Sequence, residues 1–133
     1  MSNNNKKEPD VEWPQEAVPD GDILFRRVHW QYAPDGELQP NAFSDIGPGM
    51  STHWQKYCPT AADARSKAKN PDVVGVVSLP AGGVRLLSLV VQHAPSRNDR
   101  SHVTVAGEKT AEIRQKLAKL AAWQLLPNNK PPT

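Results

Sequence analysis

The sequence predicts an α+β domain: a small antiparallel sheet of about four strands, packed against a C-terminal helix and a shorter Ala-rich helix, with an extended N-terminal arm. Three observations predict it. "DVVGVVSL" and "VRLLSLVVQH" are continuous β-branched and aliphatic runs, the pattern of buried strands. "EKTAEIRQKLAKLAAW" places Ile113, Leu117, Leu120 and Ala121 at helical spacing, which makes one apolar stripe. Residues 1–21 have no periodicity and contain Pro9, Pro14 and Pro19, so they read as an extended or disordered acidic arm.

The first strand is expected over 22–31. In "DILFRRVHWQY", Leu24, Val28 and Trp30 share one face, and Ile23, Phe25, Arg27 and His29 share the other. "APDGEL" is a turn around Asp35-Gly36, and the loop to residue 50 offers Phe43 and Ile46 as anchors. "MSTHWQKY" reads as a short helix opened at Ser51 or Thr52, because Thr52-x-x-Gln55 fits a capping box. The next helix, about 60–69, starts at Thr60 with Asp63 in its first turn and stops at Asn70-Pro71. Ala61, Ala64 and Ala68 give it a small-residue face.

Strands 73–79 and 84–93 follow, joined by Pro80-Ala81-Gly82-Gly83 as a hairpin. A third strand, 101–106, closes a meander after the polar tip "SRNDR". The last helix spans about 108–122, and "QLLP" returns as a short edge strand. Both helices are expected on one side of the sheet. The domain is then 22–127, with a disordered tail at 128–133.

Composition bounds the function. With 133 residues and one cysteine, Cys58, the chain has one core and no internal disulfide framework. "MSNNNKKEPD" has no apolar h-region, and no run approaches the ~20 apolar residues of a membrane span, so a cytoplasmic protein without membrane contact is expected. Residues 1–20 set two lysines against five carboxylates, a balance of −3 within a net +2, which leaves +5 on the remainder. That is less than a committed nucleic-acid binder carries. His53-x4-Cys58 is the one tight ligand pair and has no second pair at zinc spacing; no metal and no cofactor are expected.

The candidate site residues come from two places. Arg26 and Arg27 are adjacent on a strand and must point to opposite faces. Either one, half-buried, needs a carboxylate, phosphate or carbonyl partner; Asp22, Asp45 and Glu37 are the internal carboxylates on offer. Arg27 with Arg97 and Arg100 could bind an anion. His93 and His102 flank the polar tip and could face each other for acid/base work. The plainer reading makes them the end of a hairpin, turned away from Arg27 and His29.

The pattern "LFRRV", "DGEL", "AF", "MS" and "SHVTVAGEKT", ending in "AAW", resembles a family of short, functionally uncharacterised bacterial proteins. The resemblance covers 22–127 and implies a bacterial source and a standalone domain, with no activity attached. "LFRRVHW" is also similar to the opening strand of ADP-ribosyltransferase folds. That resemblance implies roles for Arg27 or His29, for Ser51 or Tyr57, and for Glu108 as a late acid.

The first expectation for function is a non-enzymatic interaction or accessory module of a bacterial multi-protein system. Its partner would be another protein, met by the acidic arm and the 32–50 loop through Trp13 and Phe43. The alternative is a small enzyme acting on a nucleotide or nucleic acid, ADP-ribosyltransferase-like or using His-based acid/base chemistry, with Arg27, His29, His93 and His102 as its catalytic residues. The enzyme reading requires Arg27, His29 and His102 to meet in one pocket.

Overall fold

Alternation along the first strand, β1 (Ile23–His29), sorts the whole protein into two faces. A computed structural model describes residues 13–45 and 49–127. In it, Leu24 and Val28 point into the main core, while Phe25 points into a smaller one behind the sheet. The other strands are β2 (Met50–Trp54), β3 (Val74–Pro80), β4 (Val90–His93), β5 (His102–Ala106) and β6 (Ala122–Leu125). They form one sheet in the order β4-β5-β2-β1-β3-β6, with every neighbouring pair antiparallel.

The fold is therefore α+β and antiparallel as expected, but with six strands among the described residues rather than about four. One addition is the edge strand β6, expected near "QLLP" but left out of that count. The other is β2, where a helix was expected. Residues 50–54 pair with β1 on one side and β5 on the other. The Thr52 hydroxyl caps no helix; it donates to the Val103 carbonyl at 2.9 Å inside the core. Inner pairing on both sides overrides the local capping pattern.

The expected 73–93 hairpin is also corrected. Pro80 is followed by a short helix, α2 (Ala81–Arg85), which carries the chain across the core to β4, three strands beyond β1. The two glycines serve close packing rather than a turn. A Cβ on Gly82 would lie 3.1 Å from the Asp20 carbonyl oxygen, and one on Gly83 2.9 Å from Leu120. The chain reverses instead at Ser88, which has φ of 63°.

Helix α1 (Ala61–Ser66) starts at the expected Thr60 cap, where Thr60 and Asp63 form a reciprocal capping box. Helix α3 (Ala111–Leu120) is capped by the Thr110 hydroxyl. The helices do not share a face. Ala81 and Val84 of α2 and Leu117 of α3 pack in the main core with Met50, Trp54, Val77 and Val105. Ala64 of α1 packs behind the sheet with Phe25, Val76 and Cys58. Phe43, offered above as a partner contact, is fully buried in the main core as the anchor of its loop. Ile46, residues 1–12 and the tail 128–133 lie outside the described residues.

From Trp13 onward the arm lies across the main-core side, where Val18 is buried. The Asp20 carboxylate pairs with Arg85 at 2.6 Å, and Asp22 accepts from Trp54 Nε1 at 2.9 Å. Glu16 accepts from Lys56 Nζ at 2.7 Å and from the Tyr57 hydroxyl. Those two hydrogen bonds hold its carboxyl down at about 2. Among the described residues, no helix is long and apolar enough to cross a membrane.

Candidate anion-binding cleft

Because α1 covers only one end of the rear face, the other end of that face stays open and polar. Strand alternation puts Arg27 and His29 of β1, Ser51 and His53 of β2, and His102 of β5 on it. A cleft of about 460 Å³ runs here, with Arg27, His29, Tyr32, Ser51, Lys67 and Lys69 among its walls. Among the described residues, its charged lining is made of cations: Arg26, Arg27, Lys67 and Lys69.

Arg26 and Arg27 point to opposite sides, and their partners differ. Arg26 turns to the front and donates to Ala42 O at 3.0 Å through Nη2 and to Ser51 O at 3.0 Å through Nη1. Nη2 also reaches Ser44 O at 3.4 Å. Its partners are carbonyls, not the carboxylates offered by the sequence: Asp45 is taken by the buried Lys109 at 2.8 Å. Burial, then the like charge of Arg27, pushes the Arg26 guanidinium down to about 10.

Arg27 turns to the rear. Its Nη1 is buried and has no hydrogen-bond partner among the described residues. Burial also pulls this guanidinium below the usual arginine value, against the pull of Asp99 and Cys58. A buried cationic N–H without an acceptor is costly; Nη1 itself is closed to solvent, and Arg27 forms part of the cleft wall with the rest of the residue.

Beside Arg27, His53 Nδ1 lies 3.1 Å from Asp99 Oδ2 and 3.2 Å from the Ser101 hydroxyl. Burial pushes this imidazole down to about 4, helped by Arg27, Lys67 and His102 against Asp99. It is neutral at pH 7, so Nδ1–H donates to the carboxylate and no ion pair forms. Burial would raise the Asp99 carboxyl, but the Ser101 hydroxyl, His53 and Lys67 together hold it below the usual range. Lys67 approaches it at 3.5 Å.

The His53 shift has a consequence for stability. Unfolded, His53 takes its proton near 6.5; folded, only near 4. Between those values the unfolded chain binds more protons, so stability falls as pH drops from 6.5 to 4. The expected loss is up to about 3 kcal/mol. Urea unfolding at pH 7 and pH 4.5 measures it, and His53→Gln should flatten the dependence. An unchanged pH slope in that variant would remove His53 as its source.

His102 stands on the same rear face. Its Nδ1 is 3.0 Å from the Ala94 carbonyl and its Nε2 3.2 Å from the Ser51 hydroxyl. Of the three residues the enzyme reading requires in one pocket, Arg27 and His29 line the cleft, whereas His102 stands behind its wall and touches the lining residue Ser51. His93 does not join them. It is one residue out of phase, opposite Val103, and is buried on the front face, 5.0 Å from the Trp54 ring. There Nδ1 accepts from Glu16 N at 3.0 Å and Nε2 donates to Arg100 O at 2.7 Å. The two histidines flanking the tip thus face opposite ways.

Arg100 is likewise turned to the front, between the Trp13 ring at 4.6 Å and the Tyr57 ring at 4.1 Å, with Glu16 at 3.5 Å. Trp13 is accordingly laid against the domain itself. Arg97 stays on the exposed tip. Tyr57 is on the front side, and Glu108 lies four residues beyond Thr104, the partner of Ser51. It follows the end of β5 at Ala106 and the positive-φ Gly107, and it is not among the cleft's lining residues.

Lys67 and Lys69 were not singled out from the sequence; "RSKAK" after the Ala-rich helix was the available signal. Cys58 packs in the rear core, and burial raises its thiol. Among the described residues, no group of three or more His, Cys, Asp or Glu is placed to hold a metal ion.

Fold and site together define a class: a small α+β domain with a cationic cleft on the rear of an antiparallel sheet. No protein-family model, curated protein or solved structure matches the chain.

Proposed function

We propose that this chain is a small enzyme that binds a nucleotide in the β1–β2 cleft, with a phosphate group on Arg27. The observation that carries the reading is a cleft whose charged lining is cationic throughout among the described residues, with Arg27, whose Nη1 lacks a partner there, on its wall. A guanidinium with a free N–H suits a phosphate oxygen. Lys69 and Lys67 add charge at the same wall.

A bare phosphate would leave most of about 460 Å³ unfilled, a volume in the range of small-molecule sites. Tyr32, 38% exposed, offers a ring for a base to stack on. The ADP-ribosyltransferase resemblance agrees in part. Arg27, His29 and Ser51 share the cleft, whereas Tyr57 and Glu108 lie elsewhere, so it supports nucleotide binding and says nothing here of that family's reaction.

The expectation of an interaction module has less support, since Phe43 is inside the core and Trp13 rests on Arg100. Calorimetric titration with ADP, NAD and adenosine tests the nucleotide reading. ADP or NAD should bind at least tenfold more tightly than adenosine, and more weakly as salt rises. Equal binding of adenosine and ADP, or binding of neither ADP nor NAD, contradicts it.

A further inference from the structure

We propose that Ser51 is a nucleophile of the cleft and His102 its general base, acting on a phosphate ester held by Arg27; this rests on the nucleotide reading above. The Ala94 carbonyl can only accept, so the His102 nitrogen 3.0 Å from it, Nδ1, carries the proton. In the neutral ring Nε2 then has a free lone pair, and it lies 3.2 Å from Ser51 Oγ. The Ser51 hydroxyl donates to it. A hydroxyl, a base within hydrogen-bond reach and a third group that orients the base are the parts of an activated nucleophile.

The surroundings fit that role. Ser51 is exposed and lines the cleft with Arg27. Its backbone is held from the other side by the Arg26 guanidinium, which fixes where Oγ sits. Positive charge at Arg27 and Lys67 favours the developing alkoxide and the charge on the phosphoryl oxygens. Ser44 lines the same cleft, but its hydroxyl donates to Asn41 O at 3.0 Å and meets no imidazole.

In the reaction Ser51 Oγ forms a bond to phosphorus as the bond from phosphorus to the leaving oxygen breaks. The serine proton passes to His102 Nε2 and from there to the leaving oxygen. Water then attacks phosphorus and gives a proton to His102, and the Ser51–phosphorus bond breaks with that proton returning to Oγ. Nothing is oxidised or reduced, and water is the one co-reactant.

Diisopropyl fluorophosphate tests the pair without knowledge of the natural ester. Attack by Ser51 expels fluoride and leaves a stable phosphoryl adduct that peptide mass spectrometry locates. The expected result is one adduct, on Ser51 and not on Ser44, absent in Ser51→Ala and slowed by ADP. His102→Gln should slow labelling by about 100-fold or more, the span of general-base catalysis. His102→Ala should be partly rescued by added imidazole, which a merely structural histidine would not show.

No adduct on Ser51 in the unaltered chain, under conditions that label a known serine hydrolase, overturns the proposal whatever the variants do. So does labelling at the unaltered rate in His102→Gln. ADP binding without labelling overturns the pair and leaves the nucleotide reading standing. Labelling without ADP binding upholds the pair and overturns that reading.

Discussion

Trp54→Ala is expected to unfold the protein or bring it to the edge of unfolding at 37 °C. Trp54 is among the largest fully buried side chains, at the junction of β2, the arm and the front core. Emptying such a site costs about 3–5 kcal/mol from lost burial and the cavity left behind. The variant also removes the Nε1–H bond to Asp22, worth about 1.5–3 kcal/mol when its acceptor is charged. Edge contacts to His93 and Tyr57, with ring centroids at 5.0 and 5.5 Å, disappear as well. A domain's whole stability is about 5–15 kcal/mol, so little would remain. Trp54→Phe keeps most of the volume and should lose far less. Urea unfolding of both variants measures the difference; a Trp54→Ala loss below about 1.5 kcal/mol would contradict this packing.

Arg26→Met is expected to destabilise by about 2–4 kcal/mol and to weaken ligand binding without touching the ligand. The methionine keeps the apolar stem but strips the donors from the Ala42, Ser44 and Ser51 carbonyls. Those bonds tie the 40–44 segment to β2, so their loss frees the cleft wall that carries Asn41, Ala42, Ser44 and Ser51. Arg26→Lys should recover little, because one ammonium cannot reach carbonyls spread around a planar fork. Unfolding free energy and ADP affinity should fall together. Full stability in Arg26→Met would show that the carbonyls find water at no cost.

Several elements were legible because local chemistry and tertiary burial agree. The alternation of Leu24 and Val28, the Thr60 cap and the Ile113–Leu117 stripe each have one physical meaning, and each stands where expected. The misreadings share a cause. β2 reads poorly as a strand because its rear positions, Ser51 and His53, are polar: Ser51 lines the cleft, and His53 is buried against Asp99 and Ser101. A strand that serves a site gives up the apolar signal by which strands are recognised. Gly82-Gly83 reads as a turn because a sequence shows flexibility but not the Asp20 backbone and Leu120 side chain that crowd both residues.

The site was half legible for similar reasons. Arg27 and His29 stand out as odd residues on a strand, and His102 as a histidine at a strand start. That they share the rear face depends on β2 lying between β1 and β5, which the misread helix concealed. The separation of His93 from His102 follows from strand phase alone, but only once the register of β4 on β5 is known. The His53–Asp99 contact joins residues far apart in sequence, and no local pattern announces it.

The central claim is that Arg27 holds a phosphate in this cleft, and backbone NMR during an ADP titration tests it most directly. The account predicts shifts concentrated at Arg27, His29, Ser51, Lys67 and Lys69, and at least about 30-fold weaker binding in Arg27→Ala, the cost of leaving a phosphate without its paired guanidinium. Shifts centred on the front face around Glu16, His93 and Arg100, or unchanged affinity in Arg27→Ala, would contradict it.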